Sequence, residues 1–135
     1  MIKMFTAFHK VVSQFLEFTP REKEILESAF TFRQIPKKCK LVCKGEVATE
    51  LYFINKGLIR LYYTKAEEEI TGFIFKENLF ASSYDSFLRK EPSIQTLESM
   101  EDCEILVITH DNLEDLYKVL PKINILTRKV AEQRF

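Results

Sequence analysis

Glycine and proline are scarce, at 3 and 4 of 135 residues, which excludes a collagen-like chain and a Pro/Gly-rich linker. Net charge is absent too: 20 Lys plus Arg balance 20 Asp plus Glu, with a pI near 6.7. A strongly basic nucleic-acid binder and an acidic solvating tail are both excluded. No run approaches the ~18 apolar residues of a membrane span, so no membrane association is expected. The opening MIKMFTAFHK lacks an uninterrupted apolar core and a small-residue cleavage site, so it does not read as a signal peptide. Histidine is limited to His9 and His110, and cysteine to Cys39, Cys43 and Cys103. Three thiols without a signal peptide point to a reducing, cytoplasmic setting in which they act as small hydrophobes. Cys39 and Cys43 lack the two-residue spacing of a metal knuckle, and no metal site is expected.

The chain is 46% hydrophobic, so it is globular, and its length fits one domain. Phe5, Phe8, Val12 and Phe15 recur at helical spacing. Thr19-Pro20-Arg21-Glu22 then reads as a capping box with Pro in the first turn of a second helix, whose inner face is Ile25, Leu26 and Ala29. From Phe32 the pattern shortens to eight apolar runs: Phe32–Ile35, Lys40–Val42, Leu51–Asn55, Leu58–Tyr63, Glu69–Phe75, Asn78–Ala81, Ile94–Glu98 and Glu104–Thr109. Asn55-Lys56-Gly57 reads as a tight hairpin turn and Thr64–Glu68 as a polar loop. Ser83–Lys90 has no strand alternation and suits a turn or two of helix. After Thr109 the helical period returns, with Asp111 as the expected cap. Leu113, Leu116, Tyr117 and Leu120 share one face. Pro121 allows a new helix, in which Ile123, Leu126 and Val130 form an apolar seam toward Phe135. No stop signal follows, which points to a partner helix or a continuation.

The expected architecture is mostly β with flanking helices: a jelly-roll (double-stranded β-helix) barrel over 31–110, N-terminal helices over 1–30, and a long C-terminal helix over 111–135. Charge is uneven along it. Residues 31–65 hold 8 basic and 2 acidic side chains, while residues 66–117 hold 3 and 13. Interleaved strands of a barrel would cancel most of that difference.

Chemistry is sparse. Neither histidine has a neighbouring nucleophile in sequence, and Glu67-Glu68-Glu69 reads as a solvated tip. A metal-dependent cupin-like enzyme needs clustered histidines that are absent here. The expectation is a non-enzyme.

One ordered set of short segments is more specific. Lys44-Gly45-Glu46, Leu51-Tyr52-Phe53-Ile54, Lys56-Gly57, Ile59-Arg60-Leu61-Tyr62, Asn78-Leu79-Phe80-Ala81 and Asp102-Cys103-Glu104-Ile105 follow one another. In order and spacing this series resembles the cyclic nucleotide-binding domain of Crp/Fnr transcription regulators, over about residues 15–135. The resemblance makes Gly45 and Gly57 structural turn glycines. It implies an effector pocket lined by Ser82, Ser83, Tyr84, Ser93 and Ile94, with Leu61 and Phe73 as walls. It also implies a homodimer through Ile123, Leu126 and Val130, and a cytoplasmic regulator whose DNA-binding helix-turn-helix would lie beyond Phe135.

The family's phosphate-binding cassette departs from its pattern here. It opens with Gly-Glu, whose carboxylate binds a ribose hydroxyl. An Arg and a small hydroxyl residue about ten positions later hold the cyclic phosphate. Those positions fall on Ser82, Ser83, Ser93 and Ile94, and Phe87 matches an apolar position. Cyclic AMP is the ligand that the resemblance implies, and the missing Glu and Arg count against it. Another effector, a ligand-free dimerisation or interaction domain, and a Cys-based redox or haem sensor stay open.

Overall fold

A computed structural model describes residues 2–132, with side chains from residue 4. The chain opens with α1 (Ile2–Val12) and α2 (Pro20–Ala29). Five strands follow, β1 (Thr31–Ile35), β2 (Lys40–Val42), β3 (Glu50–Lys56), β4 (Ile59–Lys65) and β5 (Glu68–Phe75). Then come β6 (Phe80–Ala81), α3 (Tyr84–Arg89), β7 (Thr96–Ser99), β8 (Cys103–Thr109), α4 (His110–Val119) and α5 (Ile123–Glu132).

The strands form two antiparallel four-stranded sheets, ordered β1-β8-β3-β6 and β2-β7-β4-β5, in a jelly roll. The first sheet is buried on both faces at its centre, in β3, β6 and β8, while its edge strand β1 is partly exposed. Phe32, Leu106 and Phe53 share a register row and turn toward the helices. There the buried Phe8 ring of α1 meets Phe53, Phe80 and Phe30 edge-on, at 5.5, 6.1 and 4.8 Å. The alternate row of Arg33, Ile105 and Ile54 turns toward the second sheet.

The capping box forms as read. Glu22 N–H donates to Thr19 Oγ1 at 3.2 Å, and Thr19 N–H donates to Glu22 Oε1 at 2.9 Å. Charge also cancels across strands: Arg60 of β4 donates to Glu69 of β5 at 2.6 Å and to Glu98 of β7 at 3.1 Å.

Five local expectations are corrected. Asn55-Lys56-Gly57 is not a hairpin, because β3 and β4 belong to different sheets. It is the corner by which the chain changes sheet. Gly57 takes φ +108°, and a Cβ there would run into Cys103 Sγ and stand 2.9 Å from the Asp102 carbonyl. The Thr64–Glu68 loop is shorter than read: strands run to Lys65 and from Glu68, leaving Ala66 and Glu67 at φ 53° and 68° as the turn. The cap of α4 is Thr109, whose Oγ1 accepts Asn112 N–H at 3.1 Å, and Asp111 lies inside the first turn.

The seventh strand starts at Thr96, two residues later than read, because Ser93 folds over Gln95. Its hydroxyl accepts Gln95 N–H at 3.1 Å and donates to the Gln95 carbonyl at 2.6 Å, which holds Ile94 outward. Finally, the C-terminal segment is not one long helix. It breaks at Leu120–Lys122, where Pro121 cannot continue the α4 ladder. The expected seam turns inward: Ile123, Leu126 and Val130 are 2%, 6% and 2% exposed and belong to the chain's own core. The last three positions of that expected helix, 133–135, lie outside the described residues.

Candidate functional site

The cassette segment runs from the end of β6, through α3, to the start of β7. Its two halves meet. Ser83 and Ser93 are each 4% exposed, and their hydroxyls are 2.7 Å apart. Ser93 is fixed further by the turn before β3: Gly45 N–H donates to the Ser93 carbonyl at 2.8 Å, and Ser93 N–H donates to the Glu46 carbonyl at 2.7 Å. Gly45 can approach in this way because it adopts φ +93°. Below it, the Ser86 hydroxyl donates to the Glu91 carbonyl and accepts Ala48 N–H at 2.8 Å. The cassette is therefore stitched to the β2–β3 loop along its length.

The other expected pocket residues divide. Ser82 is buried, and its hydroxyl donates to the Glu50 carbonyl of β3 at 3.0 Å. Tyr84 is also buried, with its hydroxyl donating to the Phe80 carbonyl at 2.7 Å. Leu61 and Phe73 are cross-strand partners, Leu61 buried and Phe73 packed 4.7 Å from the Phe75 ring. Ile94 differs from these: it is 76% exposed and points into solvent. Arg89 and Lys90, which follow on α3 and its cap, are exposed.

The sequence reading missed a polar group on the inward row of the first sheet. Arg33 of β1 reaches Glu50 of β3 fork-on-fork, Nη1 to Oε1 at 3.2 Å and Nη2 to Oε2 at 3.0 Å. The Tyr52 hydroxyl donates to the same Oε1 at 2.8 Å. Burial pulls the Glu50 carboxyl upward, but hydrogen bonds from Arg33 and Tyr52 overrule it and hold it below the usual range. The same burial, with Glu50 alongside, drives the Tyr52 phenol far above its ordinary value. Strand alternation was the available clue: Arg33 shares its face with Ile35, and Glu50 with Ile54.

The remaining chemical groups sit elsewhere. His9 Nε2 bonds Glu27 Oε2 at 2.7 Å and ties α1 to α2, while the His110 ring packs 5.1 Å from Phe87. Cys103 is buried, donates to the Glu101 and Leu58 carbonyls at 3.2 and 3.5 Å, and has its thiol pushed up mainly by burial. Among the described residues, no cluster of three or more His, Cys, Asp or Glu could hold a metal ion, and no helix is long and apolar enough to cross a membrane. A cleft of about 1010 Å³ lies away from the cassette, between α1 and the β3–β4 corner, lined by Met4, Val11, Phe32, Asn55 and Leu79.

The resemblance assigns a ribose-binding carboxylate and a phosphate-binding guanidinium to positions 83 and 93. Both positions hold neutral hydroxyls bonded to each other. A buried phosphate there would lack its charge-assisted contact, worth about 1.5–3 kcal/mol.

Comparison with known proteins gives a consistent relationship. The family described as "Cyclic nucleotide-binding domain" matches residues 32–119. The anaerobic regulatory protein of Bacillus subtilis (strain 168) is 32% identical over 92 residues, which are 67% of this chain and 39% of that protein. This chain thus spans about two fifths of that relative's length. Among solved structures, a cyclic nucleotide-binding domain from Methylobacillus flagellatus superposes with a TM-score of 0.86 at 19% identity, covering 98% of this chain and 79% of the other. The catabolite activator protein of Thermus thermophilus gives 0.74 at 22%, covering 88% and 56%. These two establish the jelly-roll fold. The family match, over more than half of the chain, places it in the cyclic nucleotide-binding domain family, with homologues of the Crp/Fnr type.

Proposed function

We propose that this chain is the effector-sensing domain of a cytoplasmic Crp/Fnr-type transcription regulator, and that its cassette does not take cyclic AMP in the family's manner. The observation that carries the second half is the Ser83–Ser93 hydroxyl pair, which occupies both charged ligand positions with a neutral, self-satisfied bond. The domain acts as a binding module and not as an enzyme. An effector entering beside the cassette would favour one of two arrangements of α5, and that shift is the output. DNA contact would come from a helix-turn-helix outside this sequence. A homodimer through the C-terminal segment would use the outer side of α5, where Ile125 is exposed, since the inner side is spent on the core.

A ligand-free dimerisation domain is the second reading. The satisfied hydroxyl pair favours it, because no polar group of that pair waits for a partner. A thermal-shift titration tests both. The panel is cyclic AMP, cyclic GMP, their 2′-deoxy and non-cyclic counterparts, and small anions. A ligand at about a hundred times its dissociation constant adds ~2.7 kcal/mol, a shift of several degrees for a domain of this size. The sensing reading expects no shift with cyclic nucleotides and a shift with another member of the panel. No shift throughout supports the ligand-free reading, and a cyclic-nucleotide shift overturns the claim about the cassette.

A further inference from the structure

The ten residues of α5 pack inward through Ile123, Leu126 and Val130, and two polar ties hold the helix in place. One tie is local: the Tyr117 hydroxyl of α4 donates to Thr127 Oγ1 at 2.9 Å. The other joins opposite ends of the sequence. Lys122 Nζ donates to Glu22 Oε1 at 2.7 Å and to the Glu17 carbonyl at 2.8 Å, and stands 4.8 Å from the centroid of the Phe18 ring. A carboxylate, a carbonyl and an aromatic face thus converge on one ammonium. Glu22 Oε1 also accepts Thr19 N–H, so the oxygen that closes the α2 cap is the one that receives Lys122. Hydrogen bonding from Lys122, then from Thr19, holds the Glu22 carboxyl below its usual range.

The placement of Lys122 gives this tie its meaning. It follows Pro121, in the break between α4 and α5, where Leu120 leaves helical geometry at φ −142° and ψ 72°. A lysine fixed there fixes the hinge itself. The pair is partly open to water, with the Lys122 and Glu22 side chains 34% and 23% exposed. Such pairs contribute little to global stability, so fold maintenance does not account for a three-way contact.

We propose that Lys122 is a positioning residue: it pins the α4–α5 hinge to the start of α2, sets the resting place of α5, and its release frees α5 while the sheets stay folded. The inference deepens the sensing role proposed above, because α5 is the element that reading moves.

Amide hydrogen exchange on the whole chain, without effector, tests it. Peptides covering α5 in Lys122→Met are expected to exchange about threefold faster or more, while β3 and β8 peptides stay within twofold of the unaltered protein. Lys122→Arg, which keeps a cation and its donors, is expected to restore protection of α5. Unchanged α5 exchange in Lys122→Met, equal acceleration in the sheets, or failure of Lys122→Arg to restore protection would overturn the proposal. The readout needs no ligand, so a failed search for an effector leaves it standing, and its failure leaves the cassette argument standing.

Discussion

The hydroxyls of Ser83 and Ser93, ten residues apart in sequence, meet at 2.7 Å where the two halves of the cassette close on each other. The family resemblance assigns a carboxylate and a guanidinium to these two positions. Here two short neutral side chains satisfy one another, and backbone bonds from Gly45 and to Glu46 lock Ser93 in place. A buried hydroxyl with a partner costs little, whereas an unpaired buried charge costs a great deal. The substitution of both positions together is therefore self-consistent in a way that losing one alone would not be.

Ser93→Ala should destabilise the domain by about 1–3 kcal/mol, because it strands Ser83 and removes both side-chain bonds to Gln95. Its neighbour Ile94 is exposed, and Ile94→Ala should stay within about 0.5 kcal/mol of the unaltered protein. Urea unfolding of the two variants side by side checks the contrast. An equal loss in both would mean that the hydroxyl pair contributes nothing specific.

The two turn glycines should respond unequally. Gly57→Ala meets both a positive φ and the Asp102 carbonyl at 2.9 Å, so a cost of about 2–4 kcal/mol is expected. A Cβ on Gly45 meets nothing within 4 Å, so Gly45→Ala should cost only the backbone strain, about 1 kcal/mol. Thermal denaturation ranks them.

Acid should act through Glu50. Its folded pKa lies below the ordinary carboxylate value, so the stability it contributes is present above that value and is lost as pH falls through the lowered one. Unfolding free energy measured between about pH 6 and pH 3 should fall less steeply in the double variant Arg33→Met/Glu50→Met than in the unaltered protein. Parallel pH profiles would remove the pair from the account.

Core and surface should separate along α5. Ile123→Ala should cost about 2–4 kcal/mol at any protein concentration, since its side chain is buried within the chain. Ile125→Ala should leave the stability of the isolated chain nearly unchanged. If the Ile123 loss instead grew on dilution, the seam would lie between subunits, as its spacing alone suggested.

Much of this fold is legible in local sequence. The Thr19–Glu22 capping box and all eight strands follow from spacing, turn residues and period, because each depends on neighbours a few positions away. What spacing could not convey was partner choice. Asn55-Lys56-Gly57 looks like a hairpin because a tight turn is all that the local residues specify; that β4 joins β7 and β5 depends on contacts made far along the chain. Ile123, Leu126 and Val130 give the same stripe whether they face a second subunit or their own core. In the cassette, the absent Glu and Arg could be seen from the resemblance, but the bond between Ser83 and Ser93 could not, nor could the convergence of Arg33 from β1 with Glu50 and Tyr52 from β3.

The central claim is that the pair Ser83 and Ser93 removes cyclic AMP recognition. Calorimetric titration of cyclic AMP tests it most directly, run on the unaltered chain and on the double variant Ser83→Glu/Ser93→Arg. The account predicts no saturable heat from the unaltered chain up to millimolar ligand. It predicts measurable binding in the double variant, because each restored charged contact contributes about 1.5–3 kcal/mol. Saturable micromolar binding by the unaltered chain would contradict it.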